Sequence, residues 1–289
     1  MNPLMLPDGT KIVAWDNNGR VWHLHGAGAG REGARITRQT GWMFAPVQLL
    51  VSEAARQDGA TFERSVRSKK EWDFVVFLSA PTVREFYAVH DAWFRGWSTD
   101  IPVTVGYFTR HQGWRLQRYQ LDGPPTPAGE QDPVRNAAAE FQMSATAMDP
   151  LPHHLGEWDV WTNSLALGEG TVRARNAADR PGWARYTMPG PGRYGIEDPT
   201  ETALRIVETP IIGAGEELRI DTHPRHRTAR IYSPGSPSGR NVWGQLAGRR
   251  WFASLPPWSA TDLVVRCTDG ATTSAAVRVD VTPRSSRPY

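Results

Sequence analysis

Lys11-Ile12-Val13-Ala14-Trp15-Asp16-Asn17-Asn18-Gly19-Arg20-Val21-Trp22-His23-Leu24-His25 sets the architecture from the start of the chain. Two strand-like runs flank Asp16-Asn17-Asn18-Gly19. Asn-Gly tolerates the positive φ of a tight hairpin turn, so the segment predicts two antiparallel strands. Further strands are expected at Glu71 to Leu78, Ile101 to Phe108, Trp114 to Leu121 and Ala138 to Met148. In the last of these, Phe141, Met143, Ala145 and Ala147 share one side. Between them the pattern weakens. Gly41-Trp42-Met43-Phe44-Ala45-Pro46-Val47 is apolar without a period, Asp58-Gly59-Ala60 marks a turn, and Thr61 to Ser68 alternates only faintly.

One helix interrupts the strands, over residues 82–97. Thr82 follows Pro81 and stands three residues before Glu85, the spacing of a capping box. Val83, Phe86, Tyr87, His90, Trp93, Phe94 and Trp97 recur at three- and four-residue steps, which places them on one face to pack on a sheet.

The character of the chain changes at Asp149-Pro150-Leu151-Pro152-His153-His154, where two prolines disfavour regular structure. Two domains are expected, 1–150 and 151–289. The second half is a series of short alternating runs at 158–164, 169–175, 183–187, 203–209, 217–221, 227–232, 249–254, 261–267 and 274–282. Strands at that spacing, split by Gly, Pro, Asn and Asp, predict an all-β sandwich. The fold class is therefore mainly β, with one prominent helix in the N-terminal domain.

Composition limits the chemistry. A length of 289 residues suits about two domains. With 39% hydrophobic and 22% charged residues, the chain is globular rather than disordered. Lys+Arg and Asp+Glu nearly balance at 33 and 30, and Arg67-Ser68-Lys69-Lys70 and Arg225-His226-Arg227 are short, so nucleic-acid recognition is not expected as a primary task. The single cysteine, Cys267, lies in an apolar alternating run and reads as a buried thiol, which excludes a disulfide framework. Met1 to Pro7 lacks the charged n-region of a signal peptide, and no apolar run is long enough for a membrane span.

Catalytic motifs do not assemble. Gly28-Ala29-Gly30-Arg31-Glu32-Gly33 matches G-x-G-x-x-G, but no amphipathic helix follows it, so a surface loop is expected rather than a dinucleotide site. His23, His25, His153, His154, His223 and His226 show no metal-ligand spacing. There is no G-x-S-x-G. Glu157 and Asp159 would share a strand face, which leaves a glycosidase-like carboxylate pair as a minor reading. The expectation is a non-enzymatic protein without cofactor or metal. Tryptophan is the unusual residue, at 13 copies. Aromatic rings of the second half, among them Trp158, Trp161, Trp183 and Trp243, are candidate contacts for sugar or protein.

Several stretches resemble minor tail proteins of the distal-tail type from phages that infect actinobacteria. They are Trp15 to Trp22 running into the Gly26–Gly33 loop and Gly41-Trp42-Met43; Lys69-Lys70-Glu71-Trp72-Asp73-Phe74; and Asn176 to Trp183, Thr209-Pro210, Glu216 to Thr222 and Leu255-Pro256-Pro257. The resemblance implies a structural virion protein of the siphovirus tail tip, assembled in the host cytoplasm. It implies a homohexameric ring built by the N-terminal domain, which joins the tail tube to the tip or baseplate complex. The partners implied are further copies of the chain, the tail tube protein, the tape measure protein and the tail-tip hub protein, with DNA passing through the lumen unread. A galectin-like or carbohydrate-module-like sandwich would decorate the outside. A closed ring needs two complementary patches on each protomer, and Trp15, Trp22, Trp42 and Trp72 are the candidates for their anchors. The second functional reading is a host-receptor or carbohydrate-binding tail module.

Overall fold

The structure is a computed structural model that describes residues 9–53, 55, 58–129, 132–199 and 204–289; the N-terminal stretch Met1 to Pro7 lies outside the described residues. The chain is mainly β. It divides into two compact units, Met1–His153 with Ser285–Tyr289, and His154–Arg284.

The first unit contains β1 (Lys11–Trp15), β2 (Val21–His25), β3 (Ala34–Thr40), β4 (Val47–Ser52), β5 (Thr61–Arg67), β6 (Lys70–Ser79), α1 (Val83–Gly96), β7 (Val103–Thr109), β8 (Gly113–Leu121), β9 (Thr126–Pro127), α2 (Pro133–Asn136) and β10 (Ala138–Ala147). Its main sheet runs β2-β1-β7-β8-β10-β6-β3, with antiparallel neighbours. The hairpin expected at the N-terminus is β1–β2, with Trp15 opposite Val21. Asp16 fastens the turn: Oδ1 accepts the N–H groups of Asn18 and Arg20, and Oδ2 accepts Trp22 Nε1, all at 2.9 Å.

The expected helix is α1. Thr82 Oγ1 accepts the Glu85 N–H at 3.2 Å and donates to Glu85 Oε2 at 3.0 Å. Phe86, Trp93 and Trp97 are buried, whereas Val83 and Tyr87, at the margin of the same face, are exposed. His90 is half-buried, with its ring centroid 4.7 Å from that of Phe94 and 5.6 Å from that of Phe141. It serves as a packing residue.

The core of this unit is aromatic. Trp22 meets Trp93 edge-on at 5.1 Å, and Trp72 stacks on Phe74 at 4.1 Å and touches Tyr119 at 5.0 Å. Such pairs contribute about 0.5–1.5 kcal/mol beyond the area they bury. The assignment of Trp22 and Trp72 to an oligomer interface is therefore corrected. Both are fully buried, and their indole N–H groups are bound to Asp16 and Gln39. The pleat explains it: Trp22 and Leu24 point inward on β2, as do Trp72, Phe74, Val76 and Leu78 on β6. Alternation fixes which residues share a face, but not which face meets the core.

Lys70, at the start of β6, is also fully buried, and its Nζ donates to the Trp42 carbonyl at 3.0 Å. Burial depresses its pKa to about 7. A lysine with a lowered folded-state pKa binds fewer protons folded than unfolded between that value and ~10.4, so stability rises with pH across this window and is lost as pH falls through 7. Buried Tyr107 and Tyr119 are shifted upward by desolvation, so their contribution falls away above pH ~10. Lys70→Met removes the rise. At pH ~6 it should stabilise the chain by about 3 kcal/mol, net of leaving the Trp42 carbonyl unpaired. Urea unfolding of both chains from pH 6 to 10 checks this, and parallel pH profiles would refute it.

At the boundary of the units lies β11 (His153–His154). The second unit contains β12 (Glu157–Thr162), β13 (Glu169–Asn176), β14 (Ala184–Pro189), β15 (Arg193–Glu197), β16 (Ile206–Glu208), β17 (Glu217–Asp221), β18 (Thr228–Ser233), β19 (Ser236–Asn241), β20 (Ser259–Thr268) and β21 (Ala276–Val281). A six-stranded sheet, β12-β21-β14-β17-β18-β19, faces a four-stranded sheet, β13-β20-β15-β16. One core fills the space between them, including Val172, Tyr186, Tyr194, Ile220, Trp251, Leu263 and Val279. This is the sandwich the alternation predicts. Cys267 is buried at its edge, and burial raises its thiol pKa.

Three local expectations differ. β15 is a strand the sequence pattern does not predict, since it follows Gly190-Pro191-Gly192 and carries an internal glycine. β19 has turn composition, Ser236-Pro237-Ser238-Gly239, yet it pairs with β18 as the sheet's edge strand, where a proline is tolerated. The run at 249–254 is not a strand. The Phe252 and Ala253 amides donate to the buried carboxylate of Asp198, at 3.1 and 3.0 Å, instead of to a β ladder. The same carboxylate holds Arg205 at 2.7 Å.

Candidate interaction surfaces

β4 and β5 form a two-stranded antiparallel sheet of their own. Val47, Leu49, Val51, Phe62 and Val66 are all exposed, as is Phe44 just before the hairpin. An isolated two-stranded hairpin is only marginally stable in water, and neither face of this one is buried. Its root, by contrast, is fixed. Gly41 has φ +77°, and a Cβ there would collide with the Glu71 carbonyl oxygen. The Ser68 N–H donates to the Pro46 carbonyl at 3.1 Å, and Lys70 reaches Trp42 across the same neck. The sequence marked a turn at residues 58–60 but gave no sign that the flanking strands leave the sheet. The missed signal is the run Phe44 to Val51, too apolar for a solvent loop.

Trp42 sits at this root, half-buried, stacked on Tyr107 at 5.4 Å and tilted against Tyr289 at 5.5 Å. Trp15 lies on the outer face of β1, edge-on to Trp114 at 5.6 Å. Phe108 closes on Trp114 at 5.2 Å. The rings cover Gly106 of β7, where a Cβ would fall 2.6 Å from Trp15 and 2.8 Å from Trp114. Of the four tryptophans named for the first unit, Trp15 and Trp42 thus keep partial exposure, and Trp114 and Phe108 join Trp15 in a half-exposed aromatic patch.

In the second unit, Trp161 lies over Gly170 and packs on the sandwich core, as Trp243 does. Trp183 is half-buried, edge-on to His223 at 6.1 Å. Trp158 stands exposed at 64%, on the outer face of the six-stranded sheet.

No protein-family model and no curated protein matches the sequence. Solved structures do match. The Dit (gp 19.1) protein of phage SPP1, a paradigm of the hub adsorption apparatus in phages infecting Gram-positive bacteria, superposes with a TM-score of 0.64 at 9% identity, over 96% of this chain and 99% of that one. The chain has the Dit fold. A chain of the phage P2 baseplate in its activated conformation with Ca gives a TM-score of 0.57 at 8% identity, over 94% and 98% of the two chains, and the Sr form gives the same values.

Within this fold the candidate chemical residues hold structure. Glu157 pairs with Arg175 at 3.4 Å, and Asp159 accepts the Arg173 N–H at 2.8 Å, so both carboxylates tie β12 to β13. The Gly28–Gly33 segment is a run of turns leading into β3, a strand, where a dinucleotide site requires a helix. Glu32 folds back to accept the His23 N–H at 2.9 Å and to meet His23 Nδ1 at 2.8 Å. Among the described residues no group of three His, Cys, Asp or Glu side chains is placed to hold a metal ion, and no helix is long and apolar enough to cross a membrane.

Proposed function

We propose that this chain is a structural, non-enzymatic protein of a phage tail tip that assembles into a closed ring, six copies in number. The ring joins the tail tube protein to the tip or baseplate hub, with the tape measure protein and DNA passing through its lumen. The observation that carries this reading is likeness in fold to a phage hub protein over nearly the whole of both chains. The β4–β5 hairpin supports the ring. It presents apolar side chains on an arm with no covering layer, held at a fixed root. A head-to-tail ring needs two different, complementary patches on each copy, and such an apolar arm can supply one of them. Assembly in the host cytoplasm and residence in the virion tail tip follow from that role.

Mass photometry and negative-stain imaging of the purified chain, alone and mixed with the tube and hub proteins of its own phage, test the proposal. A closed six-fold ring is expected. Monomers that bind neither protein would overturn it.

A further inference from the structure

Three guanidiniums gather round one phenylalanine of the second unit. The Cζ atoms of Arg205, Arg227 and Arg250 lie 5.1, 5.9 and 5.0 Å from the centroid of the Phe252 ring. We infer that this cluster is a binding site for a phosphate monoester, with the phosphate held by the guanidiniums and the organic group resting on Phe252. Every residue it uses lies in the second unit, so the inference does not depend on ring assembly.

Local structure explains the gathering. Trp251 turns into the core, where its ring meets Tyr186 at 5.3 Å, and its neighbour Phe252 stays 46% exposed. The buried Asp198 carboxylate holds this segment in place by accepting the Phe252 and Ala253 amides. It also accepts Arg205 Nη1, and Arg205 Nη2 donates to the Arg250 carbonyl at 3.0 Å. Arg227 arrives from the other sheet, one residue ahead of β18. Arg249 takes no part, since it turns to Glu208 at 3.5 Å.

Charge and shape select the ligand class. Asp198 compensates one guanidinium, and its oxygens are already occupied. Among the described residues Arg227 and Arg250 have no carboxylate partner and no side-chain hydrogen bond. Three cations against one carboxylate leave a surplus of two positive charges, which repel one another at this spacing. A phosphate monoester carries about −1.5 to −2 at pH 7 on three strong acceptor oxygens, and guanidinium forks match it. A carboxylate offers half that charge and one oxygen fewer. The exposed part of the Phe252 ring adds an apolar wall beside the anion, which favours an ester with an apolar substituent over the free ion.

The test is calorimetric titration of the intact chain with phenyl phosphate, inorganic phosphate, diphenyl phosphate and benzoate. Phenyl phosphate should bind about tenfold more tightly than the other three. Arg227→Ala with Arg250→Ala should weaken it about tenfold or more at an unchanged circular dichroism melt, because neither side chain holds the fold together. Phe252→Ala should bring phenyl phosphate down to the affinity of inorganic phosphate. Arg118→Ala, the same loss of charge at an exposed site of the first unit, should change nothing. Glu201→Gln should also leave the affinity as it is; a large gain would show the guanidiniums already paired and would overturn the inference. Absence of binding at millimolar phenyl phosphate, equal affinity for benzoate or for inorganic phosphate, or indifference to the double arginine variant would each overturn it as well. A chain that cannot form rings should still bind, which separates this result from the fate of the ring proposal.

Discussion

A chain carrying Leu49→Lys and Phe62→Lys is expected to remain folded and to migrate as a monomer under conditions where the parent chain forms rings. The two side chains are 61% and 60% exposed in the single protomer, so the unassembled state loses almost nothing when they change. Exposed substitutions of this kind shift stability by about 0.5 kcal/mol or less. In the ring they are to be covered. Burying a leucine or phenylalanine contributes about 1.5–3 kcal/mol each, and an ammonium left in the same place adds an unpaired charge to desolvate. A loss of about 4–6 kcal/mol at one interface lowers its association constant by roughly a thousandfold or more. The same interface recurs around the circle, so closure is lost altogether. Mass photometry reads the assembly and circular dichroism melting reads the fold. Rings of unchanged abundance in the double variant would show that the hairpin is not the joint.

Legibility from sequence divided along physical lines. Elements with a strong local cause were readable. The β1–β2 hairpin has its Asn-Gly turn, α1 has Thr82 and Glu85, and β10 has a clean period of two. Readings failed where tertiary context overrode composition. Ser236 to Asn241 reads as a turn but pairs as an edge strand, and residues 249–254 read as a strand but hang their amides on Asp198. The tryptophans show the same limit. Trp22 and Trp158 each stand on an alternating strand, yet one is sealed in a core and the other faces solvent. Which face of a sheet is covered depends on what packs against it, and that partner is distant in sequence: Trp93 of α1 for Trp22, and the Arg278 guanidinium, on an otherwise outward face, for Trp158. The row of charged residues on the outer face of the six-stranded sheet was illegible for a further reason. Arg185, Asp221 and Asp280 come from three strands spread over almost a hundred positions, and the register brings them into one row.

Trp72→Ala separates a core tryptophan from an interface one by the opposite signature. Its ring is packed on Phe74, Tyr119 and Trp97, and its Nε1 donates to Gln39 Oε1 at 3.1 Å. Truncation empties a volume that rigid strands on either side cannot collapse to fill, and it leaves the Gln39 acceptor unpaired. A loss of about 3–5 kcal/mol is expected. For a unit of about 150 residues that lowers the melting midpoint by roughly 10–15 °C. Because the units have separate cores, calorimetry should show the transition of the first moving down while that of the second holds its place. Ring formation would fail in this variant too, but only as the first unit melts, whereas Leu49→Lys with Phe62→Lys abolishes rings at an unchanged midpoint. Were Trp72 an anchor between protomers, as its residue type alone suggests, the single protomer would melt as before and only assembly would suffer. An unshifted melt would therefore restore Trp72 to the interface and displace the hairpin from its place as the principal joint.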